Sequence, residues 1–145
     1  MSDSELPSGD EERRARPPGT DDERRDAGMA TRRQVLGDAW VDRAVAGTTP
    51  FTADFQDFIT RVAWGDIWQR PGLARRDRSL MTLSITIALR HWDEFALHVR
   101  AAKNNGLSDE EIAEVIQHAA VYAGVPSANH AFKVAQPILE ELRQG

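Results

Sequence analysis

The residues with the clearest chemical potential are a glutamate and a histidine at helical spacing. Glu94 and His98 are four residues apart in a stretch that reads His-Trp-Asp-Glu-Phe-Ala-Leu-His from residue 91. Because an α-helix has about 3.6 residues per turn, both side chains fall on one face and can touch. A carboxylate shielded from water would fix the tautomer of the imidazole and raise its proton affinity, making His98 a general acid near neutral pH. The alternative is a solvated pair worth about 0.3 kcal/mol.

Arginines and tryptophans nearby in the sequence could bind a substrate. Arg76 and Arg78 precede an apolar segment, where guanidinium groups could hold carboxylates by paired hydrogen bonds. The alternative is a solvated, basic helix start. Trp64 and Trp68, four residues apart, form either a pocket wall or core or interface packing. His91 and His130 are weaker candidates, since a lone histidine on an apolar helix usually packs rather than reacts.

Several classes of chemistry are excluded or disfavoured. The chain has no cysteine, so it has no disulfide, no thiolate metal site and no thiol redox chemistry. His91 and His98 are seven residues and about 10 Å apart along a helix, and the H-E-x-x-H pattern is absent, so no metal is predicted. No glycine-rich nucleotide loop and no G-x-S-x-G elbow occurs.

Composition describes a soluble single domain. The 145 residues are 41% hydrophobic and 28% charged, and no apolar run approaches the roughly 20 residues of a membrane span. A net charge of −5 without basic clusters argues against nucleic-acid binding. The first residues lack an apolar signal region, so we expect a cytoplasmic protein without a membrane partner.

The chain divides into a tail and a helical domain. Residues 1–28 carry prolines, glycines and blocks of both charges, which predicts a disordered tail. Residues 29–145 show helical periodicity without strand-like alternation, so the fold class is all-α, a bundle of about six helices. The predicted helices run from Thr31 to Val45, from Phe51 to Pro71, over Arg75–Leu89, from His91 to Asn104, over Asp109–Tyr122 after a capping box at Ser108, and over Ser127–Leu142.

Two of these helices carry further expectations. The second presents an aromatic stripe that should face the core. The third, Arg75–Leu89, is apolar nearly all round, because its Ser and Thr hydroxyls can bond the carbonyl four residues earlier. Such a helix should lie centrally or at a subunit interface, which favours self-association. In the sixth, Pro137 should kink or divide the helix.

Several segments resemble the γ-carboxymuconolactone decarboxylase family. They are residues 49–56, 64–73, 75–80, 98–102 with 105–106, and 120–132, spread over essentially the whole folded part. The wider alkylhydroperoxidase-D-like superfamily is all-α and oligomeric, and its redox members carry C-x-x-C followed by histidine. Here His91 and Glu94 stand at the cysteine positions and Ser79 stands where redox members have a proton-relay glutamate. Ala123 stands where the decarboxylases often have cysteine.

The resemblance implies a substrate, a reaction and roles. The substrate would be a small lactone dicarboxylate, decarboxylated to β-ketoadipate enol-lactone and CO₂ in the protocatechuate branch of the β-ketoadipate pathway. Because the lactone is its own electron sink, no pyridoxal, thiamine or metal cofactor is required. His98 would protonate the dienolate, Glu94 would orient His98, and the carboxylates would bind Arg76 and Arg78. Weaker pocket candidates are Trp64, His91 and His130.

The family also implies a hexamer of identical chains. Three rival functions remain open: a related helical protein that acts on a different lactone, a catalytically silent interaction module whose tail recruits a partner, and a metal-dependent lyase whose activity a chelator would abolish.

Overall fold

A computed structural model describes residues 19–145, which form seven α-helices and one π-helical segment without strands in that range. This confirms the all-α prediction. No helix in these residues is long and apolar enough to cross a membrane. The elements are α1 (Asp21–Leu36), α2 (Asp38–Ala46), α3 (Ala53–Ile59), the π segment (Thr60–Ile67), α4 (Arg75–Leu89), α5 (Trp92–Asn104), α6 (Asp109–Ala123) and α7 (Val125–Gln144).

Part of the predicted tail is helical. Helix α1 begins at Asp21, so residues 21–28, which we predicted to be disordered, are helical. Thr20 and Glu23 form a capping box, in which the Glu23 amide donates to the Thr20 hydroxyl at 3.2 Å and the Thr20 amide donates to the Glu23 carboxylate at 3.1 Å. This capping satisfies amides that would otherwise lack partners. The rest of the predicted tail, residues 1–18, lies outside the described residues.

Two glycines let α1 pack directly on the π segment. A Cβ atom added to Gly28 would overlap the carbonyl oxygen of Thr60, and one added to Gly65 would overlap the carbonyl oxygen of Arg24. The backbones are therefore in contact without a side chain between them. Arg24 adds an ion pair beside this contact, its Nε donating to Asp66 at 2.8 Å. Residues 24–28 thus belong to the folded domain.

The predicted first helix is two helices. Gly37 has a φ of 89°, which ends α1 and starts α2, so the continuous helix expected from Thr31 to Val45 is wrong at this residue. Arg33 stabilises the break, since its guanidinium contacts the carboxylates of Asp38 at 3.2 Å and Asp42 at 2.8 Å.

The aromatic stripe of the second predicted helix does not face the core. Phe51 is 96% exposed, and Phe55 and Phe58 are also exposed. The inward residues are instead Thr60 and Trp64, because α1 packs on the π segment and no part of the described chain covers the phenylalanines. The expectation of a core-facing stripe is wrong for the single chain.

Helices α4 to α6 follow their predicted bounds, because their start and stop signals are local. At α6 the Glu111 amide donates to the Ser108 hydroxyl at 3.1 Å and the Ser108 amide to the Glu111 carboxylate at 3.1 Å. On α4 the Thr82, Ser84 and Thr86 hydroxyls donate to the carbonyls four residues earlier at 2.8 to 2.9 Å. The faces of α4 differ in their exposure to solvent. Leu83 and Ile87 are buried, whereas Met81, Ile85 and Leu89 form an exposed apolar stripe.

Helix α7 begins at Val125, before the predicted Ser127, and Pro137 lies inside it without dividing it.

Helix α5 lies between two hydrophobic cores. The C-terminal core joins α4 to α7 and includes Leu83, Phe95, Val99 and Ile116. The N-terminal core joins α1, α2, the π segment and α5, and consists of Val35, Leu36, Val41, Trp64 and Ala101, with Trp40, Trp68 and Leu97 packed against it. Side chains of α5 enter both cores, so a residue on this helix can be shielded on two sides.

Candidate active site

The site is built around a buried histidine on α5. His98 is 7% exposed, and its ring stacks with Trp68 at 6.0 Å between centroids and with Trp64 at 6.5 Å. The two indoles stack on each other at 5.2 Å. The π segment positions both tryptophans beside α5, and π-helical segments occur frequently at functional sites. The imidazole is therefore held in an aromatic, largely dry environment.

Glu94 lies beside His98, as their spacing suggested, but its effect on the imidazole differs from the expectation. The Glu94 Oε2 atom is 4.0 Å from His98 Nε2, too far for a hydrogen bond, and the Glu94 side chain is 63% exposed. Burial lowers the pKa of His98 from 6.5 to about 4. Desolvation outweighs the carboxylate because Glu94 is hydrated and does not bond directly. The expected rise in proton affinity is thus not found, and the free imidazole is neutral at neutral pH.

The second ring nitrogen of His98 has no hydrogen-bond partner in the part of the chain that the structure describes. Nδ1 is buried and makes no hydrogen bond within residues 19–145. A buried polar atom without a partner costs free energy, so such atoms in a folded chain call for an explanation. A ligand that hydrogen-bonds this nitrogen would remove the cost, which makes His98 a candidate ligand contact as well as a proton carrier.

The two predicted arginines have different surroundings. Arg78 is buried, one Nη donates to the Arg70 carbonyl at 3.1 Å, and its Nε has no partner in the described part of the chain. Arg76 is partly exposed and forms an ion pair with Glu111, which completes the capping box of α6. That pair joins α4 to α6 and occupies the guanidinium. Arg78 is therefore the better placed of the two for a ligand.

The structure also shows an arginine that the sequence analysis did not single out. Arg32 on α1 is 3% exposed, and its guanidinium carbon lies 5.5 Å from the centroid of the Trp40 ring. One Nη donates to the Gln56 side chain at 3.2 Å, but its Nε has no partner within residues 19–145. Burial lowers the pKa of Arg32. The sequence signal was weak: Arg32 lies four residues from both Gly28 and Leu36, on the buried face of α1.

The remaining candidates are not brought to His98. His91 is exposed at the N-terminus of α5. His130 is exposed on α7 and its ring contacts Trp92 at 4.4 Å, while Trp92 packs on the C-terminal core. The partners of His98 belong to the N-terminal core instead. Within the described residues, no group of three His, Asp or Glu side chains is arranged to hold a metal ion.

A comparison with protein families decides what this helical site belongs to. The model of the carboxymuconolactone decarboxylase family matches residues 53–137, more than half of the chain. The chain belongs to the carboxymuconolactone decarboxylase family. The match runs from α3 into α7 and includes Trp64, Arg78, Glu94 and His98, so the family assignment covers the predicted site.

Two relatives align with most of this chain, and a third aligns with a shorter part of it. A 4-carboxymuconolactone decarboxylase of Acinetobacter baylyi is 42% identical over 84% of this chain and 91% of its own length. A nitrosuccinic acid decarboxylase of Metarhizium robertsii is 46% identical over 81% of this chain and 82% of its own length. A 4-carboxymuconolactone decarboxylase of Pseudomonas putida is 54% identical over 30% of this chain and 92% of its own length.

Protonation of His98 should destabilise this family member. Because the pKa is lowered from 6.5 to about 4 by folding, the unfolded chain binds the proton more tightly. The unfolding free energy should therefore fall as pH drops from about 6.5 towards 4, by about 3 kcal/mol from this group alone. Urea unfolding at pH 7 and pH 4.5 measures the effect. Between these two pH values, the unfolding free energy of the His98→Gln variant should fall less than that of the wild type. The His118→Gln variant, changed at an exposed histidine, should lose as much unfolding free energy as the wild type. Equal losses in all three proteins would contradict the burial argument.

Proposed function

We propose that this protein is a cofactor-independent carboxy-lyase that converts 4-carboxymuconolactone to β-ketoadipate enol-lactone and CO₂. The Acinetobacter relative carries most of this proposal, since it is 42% identical to this chain over 91% of its own length. A buried histidine with one nitrogen unpartnered in residues 19–145 is suited to bind an anionic substrate and, once it has gained a proton, to deliver that proton to carbon.

The reaction needs little from the protein beyond charge and a proton. The bond to the ring carboxylate breaks, and its electron pair moves through the adjacent C=C onto the lactone carbonyl oxygen as CO₂ leaves. One proton is then added to carbon, so each turnover consumes one proton. Arg78 supplies positive charge towards the substrate oxygens, and the indoles of Trp64 and Trp68 exclude water.

The low pKa of His98 sets the order of the proton steps. The free imidazole is neutral, so it cannot protonate carbon until it has gained a proton. A bound dianion raises the pKa of a nearby imidazole, because opposite charge favours the protonated form. Glu94 is exposed to water and lies 4.0 Å from Nε2, which suits it to pass that proton inward. We therefore assign His98 as the acid and Glu94 as the residue that reloads it.

A second candidate substrate is favoured by one relative. The Metarhizium protein acts, by its name, on nitrosuccinic acid and is 46% identical to this chain. Nitrosuccinic acid is also a dicarboxylic acid with an electron sink beside the departing group, because the nitro group can take up the electron pair as a nitronate. The same buried acid and arginine would serve either substrate.

One experiment separates these functions. Purified protein with chelator present is given freshly made 4-carboxymuconolactone, followed by ultraviolet absorbance, and in parallel nitrosuccinate, followed by CO₂ release. We expect turnover of the lactone above the spontaneous rate, with kcat/KM at least about tenfold higher than for nitrosuccinate. The reverse preference would establish the second candidate. A folded protein inactive on both would refute the proposed function.

We also propose that the protein assembles with copies of itself, as six chains. The exposed stripe of α4 and the exposed phenylalanines of α3 present apolar surface that a single chain leaves in water. Light scattering should give a mass near six times 16.2 kDa, whereas the mass of one chain would contradict the assembly.

A further inference from the structure

We propose that Arg32 is a second anion-binding residue, which holds the carboxylate that the substrate keeps. This inference rests on the proposed function, because it assigns a further contact in the same site. No residue of α1 lies within the region matched by the family model, which begins at residue 53. The argument comes from the surroundings of the guanidinium.

Among residues 19–145, the buried charge of Arg32 has no counterion. Its contacts in residues 19–145 are the neutral Gln56 amide and the Trp40 ring, and no carboxylate pairs with it. Other arginines of the same region do have carboxylate partners, among them Arg24, Arg25, Arg33 and Arg61. A buried cation is normally paired, because desolvation is otherwise uncompensated. The fold therefore maintains a costly cation that an anionic ligand would neutralise.

Three atoms suggest the same kind of ligand. The buried side-chain nitrogens without hydrogen-bond partners in the described chain are Arg32 Nε, Arg78 Nε and His98 Nδ1. Each belongs to a group that can donate to an anion. The fourth unpartnered atom, Asp109 Oδ1, has the Lys103 ammonium 2.8 Å away, so its charge is compensated. What is missing from the interior is thus negative charge, as a dicarboxylate would supply.

Arg32 and His98 border one aromatic cluster. Trp40 covers the Arg32 guanidinium, Trp64 and Trp68 stack with His98, and all three indoles pack in the N-terminal core. Trp40 also lines an open cleft of about 660 Å³ between α2, α5 and α7, together with Leu97.

The reaction chemistry decides which carboxylate Arg32 holds. An ion pair to the departing carboxylate is lost as CO₂ forms, so it would stabilise the ground state more than the transition state and slow the reaction. An ion pair to the retained carboxylate persists throughout and contributes to binding and orientation. Arg32 is therefore assigned to the retained group.

The test uses succinate, a dicarboxylate with no electron sink, as a non-reacting probe of full-length protein. Thermal unfolding is followed with and without succinate for the wild type, Arg32→Met and Arg43→Met. Arg43 is an exposed arginine that lines the same cleft, so it controls for general loss of charge. Propionate, with one carboxylate, controls for non-specific salt effects.

We expect Arg32→Met to raise the Tm of the free protein by several degrees, because it removes an unpaired buried charge. We also expect its succinate Kd to rise at least tenfold, its KM to rise and its kcat to change less. Arg43→Met should keep the wild-type response. Arg32→Lys, which keeps the charge, should recover part of the succinate response and serves if the methionine variant does not fold.

Two outcomes would overturn the assignment. A lower Tm for Arg32→Met with an unchanged succinate response would make Arg32 a structural residue. If succinate raised the Tm of the wild-type protein no more than propionate did, the protein in this form would have no dicarboxylate site. Because the Tm and succinate-binding measurements need no turnover, they can fail while lactone decarboxylation is observed, so the two proposals are tested separately.

Discussion

His98→Gln should lower kcat for the lactone by about 10² to 10⁴, the usual contribution of a general acid. Glutamine can fill part of the space beside Trp64 and Trp68 and can hydrogen-bond, but it cannot carry a proton to carbon. The loss should therefore lie in kcat more than in KM. Stopped or continuous ultraviolet assays at saturating substrate measure it.

A matched control is available on α6. His118 is exposed, and its ring lies beside that of Tyr122 with 5.2 Å between the ring centroids. It is not part of the aromatic stack that contains His98. His118→Gln should keep kcat within about twofold of the wild type. If His98→Gln remained folded and turned over at close to the wild-type rate, the proton would have to come from another group, and the acid assignment would be wrong.

Gly28→Ala should destabilise the protein by about 3 kcal/mol or more, an overpacking cost at its upper range. On propensity alone, alanine in a helix stabilises by about 0.5 to 1 kcal/mol, so the two effects have opposite signs. The destabilising overlap should exceed the gain in helix propensity, because the new Cβ would meet the Thr60 carbonyl oxygen and the Gly65 backbone. Neither of these is the end of a flexible side chain. Urea unfolding at neutral pH measures the difference.

The same variant should reduce activity, because moving α1 away from the π segment shifts Trp64 and Trp68. Gly72→Ala is the control: a Cβ there has nothing within 4 Å and the backbone is not left-handed. It should change the unfolding free energy by less than about 0.5 kcal/mol. A loss below about 1 kcal/mol for Gly28→Ala would mean that the two helices can separate without cost, contrary to the packing described.

The parts of the fold that sequence predicted are those with local causes. The bounds of α4, α5 and α6 follow from caps, turn residues and helical periodicity within each segment. The start of α1 has a local cause as well, the Thr20 to Glu23 capping box, but we judged residues 21–28 by composition and overlooked it. The break at Gly37 was hidden because apolar periodicity continues across it.

The parts that sequence did not predict depend on distant residues. The spacing of Glu94 and His98 correctly predicted their proximity, yet the pKa of His98 depends on how much water the π segment excludes. Likewise, only its weak helical spacing from Gly28 and Leu36 distinguishes buried Arg32 from its neighbour Arg33, which is paired at the surface. An α-helical period and a π-helical period also cannot be separated over eight residues.

Because the Ser and Thr hydroxyls of α4 form hydrogen bonds within the helix, the surface of α4 is more apolar than its sequence indicates. Hydropathy scales count Thr82, Ser84 and Thr86 as polar, but their protons are already given to the helix's own carbonyls. Thr86 is buried, whereas the partly exposed Thr82 and Ser84 present mainly hydrocarbon and acceptor lone pairs to water beside Met81, Ile85 and Leu89. The mean hydropathy of the chain, −0.50, therefore understates how apolar this face of α4 is. A molecule covering it would release water without breaking donor bonds from these side chains.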